Sequence, residues 1–341
     1  MKGAAMGYQF SKQQAEQMFR KLSEKYDLFA PVVKEGEGCF SDTDVIRYAK
    51  VSSPDEVAWE AKSDYSFKEA LLPINETLFY FTEEETTVPR SPRKDPLIFL
   101  RSCDLHAVKR LDEIYLRNGY EDFYYARIRQ RAKFVLMGCP STCKSGFCVS
   151  MGTNRAENYD LYLKLAGDTL YADYRCQELE DLALETGAAK ADVAPDYVTE
   201  NDEKVTLPKK LSNESFTKKI WEEYGSRCIG CGRCNFVCPT CTCFTMQDIF
   251  YRDNEKAGER RRVWASCQVD GYTDMAGGII FRKSQADRFR FKVMHKIYDY
   301  EKRFGYPMCV GCGRCDDVCP EYISYSNCVD RLAKEEEAHE E

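Results

Sequence analysis

Eight of the eighteen cysteines in this 341-residue chain fall into two copies of one pattern. The first copy is Cys228-Ile-Gly-Cys231-Gly-Arg-Cys234-Asn-Phe-Val-Cys238-Pro239. The second is Cys309-Val-Gly-Cys312-Gly-Arg-Cys315-Asp-Asp-Val-Cys319-Pro320. Each is a C-x2-C-x2-C-x3-C-P run, the thiolate spacing that holds a [4Fe–4S] cluster in bacterial ferredoxins. Soft sulfur ligands suit iron, and the chemistry they carry is one-electron transfer. In two-cluster ferredoxins the fourth Cys of each run ligates the other cluster. That logic assigns Cys228, Cys231, Cys234 and Cys319 to one [4Fe–4S] cluster, and Cys309, Cys312, Cys315 and Cys238 to a second. Gly230, Gly232, Gly311 and Gly313 let the backbone wrap closely and aim N–H groups at sulfur. Pro239 and Pro320 stop each loop from running on into regular structure.

The competing reading of C-x2-C pairs is zinc, which usually separates its pairs by many residues. Four cysteines within eleven residues, followed by Pro, fit iron–sulfur better. Gly230-Cys-Gly-Arg-Cys is no phosphate loop, because it lacks a third glycine. A third constellation stands upstream as Cys139-Pro-Ser-Thr-Cys143-Lys-Ser-Gly-Phe-Cys148, with Cys103 at the end of an earlier apolar run. Together Cys103, Cys139, Cys143 and Cys148 are read as a third [4Fe–4S] site. Zinc, or simply buried reduced thiols, are its alternatives, and Asp104 or His106 could stand in for a missing ligand. Cys39, Cys176, Cys241, Cys243, Cys267 and Cys328 are read as non-ligands. His295 is read as structural.

The elements that must position these residues follow from the apolar pattern. A helix capped by Ser11 is expected over 9–27. Pro96–Ser102 and Lys133–Gly138 read as buried strands, with a helix over about 106–117 between them, so a small α/β layer forms. Functional residues collect at the carboxyl ends of such strands, where Cys103 and Cys139 stand. A hairpin turning at Gly167-Asp168 is expected over 160–174, then a helix over 176–190. The polar stretch 195–213 reads as a linker. The fold class is therefore α+β. An N-terminal α/β domain over 1–210 precedes an α-helical dicluster ferredoxin-like domain over 211–341, with a long insert over 240–308. Seventy residues separate Cys238 from Cys309, which loop-closure entropy tolerates because it rises slowly with length. Within the insert, Phe244–Arg252 and Arg282–Phe304 read as helices. The arginines at 260–262, 282, 288 and 290, with Lys283, read as solvated faces.

Composition narrows the function class. Hydrophobic residues make up 43% and charged residues 31%, as in an ordinary globular protein. A formal net charge of −7 argues against a nucleic-acid partner. No secretory signal stands at the start, and no window reaches the roughly 18 apolar residues of a membrane span. A cytoplasmic location is expected, where many cysteines mean metal or redox chemistry rather than disulfides. The acidic end, 335–341, reads as disordered. No Gly-x-Gly-x-x-Gly follows a strand, and no acid–base or nucleophile constellation stands out, so no catalytic residue is assigned.

Several segments together resemble one family. They are Cys103-Asp-Leu-His-Ala, Cys139-Pro-Ser-Thr-Cys143 with Ser150-Met-Gly-Thr153, Cys238-Pro-Thr-Cys-Thr-Cys-Phe, Trp264-Ala-Ser-Cys267, Ala276-Gly-Gly and Met294-His-Lys. The family is the iron–sulfur electron-transfer component of anaerobic sulfite reductases, with the β subunit of cytoplasmic sulfhydrogenases as a close relative. The stretch from Arg303-Phe-Gly-Tyr-Pro to Pro320-Glu-Tyr-Ile looks closest to the sulfite reductase form. The resemblance implies an electron-transfer subunit that catalyses nothing itself. A flavin subunit would take electrons from NADH, while a sirohaem subunit would reduce sulfite to sulfide. The chain departs from the family at Gly146-Phe-Cys148, where relatives tend to read Cys-Phe-Cys. A hydrogenase complex, a stand-alone redox enzyme with an open iron at the third site, and a zinc-stabilised scaffold are the competing functions.

Overall fold

The computed structural model describes residues 6–38, 42–90 and 94–338. Cys39, His339 and the end of the acidic stretch lie outside the described residues. The chain forms two compact units. One comprises Met1–Leu72, Arg90–Cys143 and Gly152–Glu200, the other Pro73–Pro89, Lys144–Met151 and Asn201–Glu341. In place of the single division expected near residue 210, two upstream segments belong with the C-terminal unit. The stretch read as a linker is not free chain either. Asn201 is buried, Val205 N donates to Ser150 Oγ at 3.1 Å and Thr206 N to Asp330 Oδ1 at 3.0 Å.

The N-terminal unit is built on an eight-stranded sheet. In spatial order its strands are Ala189–Asp192, Met6–Phe10, Thr169–Tyr174, Leu161–Ala166, Lys133–Met137, Asp95–Leu100, Tyr26–Lys34 and Val45–Lys50. The four from Leu161–Ala166 to Tyr26–Lys34 pair in parallel and the rest antiparallel. Leu97, Ile98, Phe99 and Leu100 are wholly buried, as a central parallel strand covered on both faces requires. The helix Lys12–Lys25 covers part of one face. Ser11 Oγ accepts from Gln14 N, while Gln14 Oε1 accepts from Ser11 N at 2.9 Å, which satisfies two end donors. Its Ala15, Met18, Phe19 and Leu22 recur at helical spacing and bury into the core with Phe99 and Leu161. The expected hairpin is present as Leu161–Ala166 and Thr169–Tyr174. The expected 176–190 helix is shorter, Gln177–Leu184.

The C-terminal unit is not purely helical. Phe244–Tyr251, read from sequence as a helix, is a strand paired antiparallel to Asn254–Trp264. That strand pairs in turn with Asn75–Phe81, which is why Pro73–Pro89 joins this unit. Arg252-Asp253 makes the turn, and Asp at such a position is the hairpin cue that outweighs helix propensity here. The arginines expected on a solvated helix face are partnered on this sheet. Arg260 grips Asp248 with two 2.6 Å contacts, and Arg262 forms a buried 2.7 Å pair with Glu76. The second expected helix is present as Gln285–Met294, one wider turn at His295–Asp299, and Tyr300–Phe304. It packs with Ile220–Arg227 and Tyr325–Glu337 around Trp221, Phe289, Val293, Ile297 and Leu332. Residues 335–337, read as disordered, close that last helix.

Candidate iron–sulfur sites

The first run starts where the helix Ile220–Arg227 ends, with Cys228 as its extended cap. Gly230 (φ +69°) and Gly232 (φ +78°) fold the chain back, and Gly232 starts a short helix at Arg233–Phe236. These left-handed positions favour glycine, and the two glycines turn the chain between Cys228, Cys231 and Cys234. Cys228, Cys231, Cys234 and Cys319 line one pocket, together with Cys315 of the second run, Gln268 and Lys292. Burial pushes the Cys228 thiol up, and the neighbouring Cys234, Cys231 and Cys319 push it further. Ile323 N donates to Cys319 Sγ at 3.3 Å. Cys231 is exposed and Ile229 is 59% exposed, so this run reaches the surface.

The second run repeats the turn, with Gly311 at φ +65° and Gly313 at φ +72°. Gly311 N donates to Cys309 Sγ at 3.4 Å. Burial pushes the Cys309 thiol up to about 12, with Cys312 and Cys238 adding to the shift. Burial and then Asp316 push Cys315 well up, and Cys312 and Cys238 again act on it. Cys238, the last cysteine of the first run, is thus a near neighbour of the second run, as Cys319 is of the first. Cys238 itself moves the other way: Cys241 hydrogen-bonds to it and holds it low, with Lys296 Nζ 3.3 Å away.

The donor set suits an iron–sulfur cluster. Burial favours the protonated form of Cys228, Cys309 and Cys315, and ligation would deprotonate them. Tyr325 Oη is buried with no hydrogen-bond partner, and Cys309, Cys315, Cys238 and Cys328 are the thiols acting on it. A buried hydroxyl without a partner is costly unless something fills the space it faces. Among the described residues, no three His, Cys, Asp or Glu side chains converge tightly enough for one metal ion.

The upstream cysteines divide between the units. Leu100 pairs with Leu136 at the carboxyl ends of adjacent parallel strands. Cys103 follows Leu100 not as loop but in the first turn of the helix Ser102–Leu116. Cys139 follows Met137, and its N donates to Asp196 O at 2.9 Å. Its thiol is pushed up by burial; Arg101 and a hydrogen bond from the Ser102 backbone oppose this, and Cys143 adds to it. Arg101 fixes this edge by donating to the carbonyls of Gly138, Trp59 and Ala61. His106 is taken up elsewhere, with Nε2 2.8 Å from Arg155 O and burial lowering its pKa, so it is not a spare ligand. Cys148 belongs to the C-terminal unit. Its Sγ lies 3.6 Å from Asn201 Oδ1, and Phe147 N donates to Gly311 O at 2.8 Å.

A 4Fe-4S dicluster domain family matches residues 227–323. The chain is also 30% identical over 332 residues to the sulfhydrogenase 2 β subunit of Pyrococcus furiosus, covering 93% of this chain and 95% of that protein. The chain belongs to the sulfhydrogenase β-subunit family. No solved structure gives a significant match. Membership supports an iron–sulfur electron-transfer subunit that works with other subunits; sulfite reduction is not part of what it supports. Among the described residues, no helix is long and apolar enough to cross a membrane.

In this family member, several residues at the sites escape a reading of the sequence alone. Lys292 and Lys296 are both buried among the run cysteines. Their sequence signal is charged residues at i, i+4 inside the apolar stripe Phe289, Val293, Ile297. Cys243 and Cys267, set aside as non-ligands, are hydrogen-bonded to each other. This pair, with Asn235 Nδ2 3.0 Å from Cys267 Sγ, lowers the Cys267 thiol to about 6.

Proposed function

We propose that this chain relays electrons within a multi-subunit, hydrogenase-type oxidoreductase. In this reading Cys228, Cys231, Cys234 and Cys319 hold one [4Fe–4S] cluster, and Cys309, Cys312, Cys315 and Cys238 hold the other. Of the third expected set, Cys103, Cys139 and Cys143 stand in the N-terminal unit as candidate iron ligands, while Cys148 stands in the other unit. The clusters supply one-electron storage, while the chain's own residues insulate, hydrogen-bond and orient them. The observation that carries the reading is the crossed neighbourhood of Cys319 and Cys238, each beside the other run. The β-subunit relative, aligned over almost its whole length, makes a sulfhydrogenase-like complex the first assignment. A second reading rests on the stretch from Arg303 to Ile323, which resembles the sulfite reductase form. There, the partners would be an NADH-oxidising flavin subunit plus a sirohaem subunit. Anaerobic purification of the tagged chain from its own cells separates the two. A co-purifying nickel–iron subunit supports the hydrogenase assignment. A sirohaem subunit with sulfite-dependent NADH oxidation supports the other, and recovery as a lone chain with no partner contradicts both.

A further inference from the structure

Two lysines stand one helical turn apart in the C-terminal unit, and both are only 3% exposed. Lys296 Nζ lies 2.7 Å from Thr240 Oγ1 and 3.3 Å from Cys238 Sγ, and Cys309 is among its charge neighbours. Lys292 hydrogen-bonds to Cys234, has Cys315 as a further charge neighbour, and borders the pocket of the first run. Its ammonium is 5.9 Å from the Tyr325 ring. The charged neighbours acting on Lys292 are Cys234, Cys315 and Cys241, and those acting on Lys296 are Cys238, Cys241, Cys309 and Lys292. Two like charges at i, i+4 repel, and a buried charge is tolerated only with compensation. The groups these ammoniums face are the cysteines of both runs. A cluster held by four thiolates is an anion, and reduction adds one more negative charge to it.

Resting on the cluster assignment above, we propose that Lys292 and Lys296 are buried positioning cations that set the reduction potentials of the two clusters. Lys292 serves both, and Lys296 chiefly the cluster of Cys309, Cys312, Cys315 and Cys238. A fixed positive charge favours the more negative, reduced form, so each lysine raises the potential of the cluster it faces. Lys292, placed between the two, also lowers the cost of having both reduced at once. One electron moves from cluster to cluster; no bond at either lysine forms or breaks, and each keeps its proton.

The test is an EPR-monitored redox titration of Lys292→Met and Lys296→Met against the unmutated chain, with iron counted in each. The expected result is full iron with lowered midpoint potentials: both lowered in Lys292→Met, and one lowered more than the other in Lys296→Met. Full iron with potentials unchanged overturns the lysine proposal alone. An unmutated chain that binds no iron overturns the cluster assignment with it. Should the Met variants fail to hold iron, Lys292→Arg and Lys296→Arg decide. Iron retained at near-original potentials in the Arg variants supports a need for the charge; iron lost there too counts against it.

Discussion

Gly311→Ala isolates what the tight fit around the second run contributes. Gly311 has φ +65°, and an added Cβ would lie 2.6 Å from Phe147 O, 2.7 Å from Phe147 C and 2.8 Å from Cys148 Cα. All three are backbone atoms, so no side-chain rotation relieves the overlap. Ala in the left-handed region costs roughly 1–2 kcal/mol. Moving the 144–151 segment away also breaks the 2.8 Å bond from Phe147 N to Gly311 O, worth about 1 kcal/mol. The total is about 3 kcal/mol, the sum of the two costs. Gly305 supplies the control, with φ +83° and nothing within 4 Å of its added Cβ. Gly305→Ala therefore carries only the conformational cost, taken as for Gly311 at about 2 kcal/mol. The assay is thermal unfolding of the iron-loaded protein with iron counted per chain. At roughly 2–4 °C per kcal/mol for a unit of this size, Gly311→Ala should lower the midpoint by about 6–12 °C and Gly305→Ala by about 4–8 °C. Equal shifts, or a larger one for Gly305→Ala, would refute the reasoning.

Three further outcomes follow from the same geometry. If the fourth ligands cross over, Cys238→Ser should give the EPR spectrum of Cys309→Ser rather than that of Cys228→Ser, and the reverse pairing would sink crossed ligation. Tyr325→Phe removes the unpartnered hydroxyl beside Cys309, Cys315 and Cys238. Because a hydrogen bond to cluster sulfur raises its potential, the variant should show one potential lowered, by less than in Lys296→Met, with iron unchanged. In iron-free protein, burial raises the Cys309 thiol from 9.0 to about 12. The folded chain then holds that proton more tightly than the unfolded one. Its contribution is complete below pH 9 and lost as pH rises toward 12. Denaturant midpoints measured at pH 8, 9.5 and 11 should fall in that order, and a rise would contradict the assignment.

How much is legible depends on whether the signal is local. The spacing of Cys228 to Cys238 and of Cys309 to Cys319 is a property of eleven consecutive residues, and so are the glycines that permit it. Pro96–Leu100 is legible because a strand buried on both faces is apolar throughout. Phe244–Tyr251 reads as a helix because both of its faces are largely exposed, leaving no clean period to separate strand from helix. Its hairpin partner Asn254–Trp264 pairs on the other side with Asn75–Phe81, more than 170 residues earlier in the chain, and no local pattern announces such a pairing. The placement of Cys148 depends on Asn201 and Gly311, also distant in sequence. Lys292 and Lys296 are visible as misfits in an apolar stripe, but only the fold shows that thiols lie opposite them.

The central claim is that this chain holds [4Fe–4S] clusters on its two cysteine runs and passes single electrons between them. Iron and acid-labile sulfide counted on anaerobically purified protein, with EPR of the dithionite-reduced sample, test it most directly. The account predicts about eight iron and eight sulfide per chain from the two runs, rising to about twelve of each with the third site. It also predicts two reduced-cluster signals that broaden one another. A colourless protein carrying zinc, or iron without labile sulfide, would contradict it.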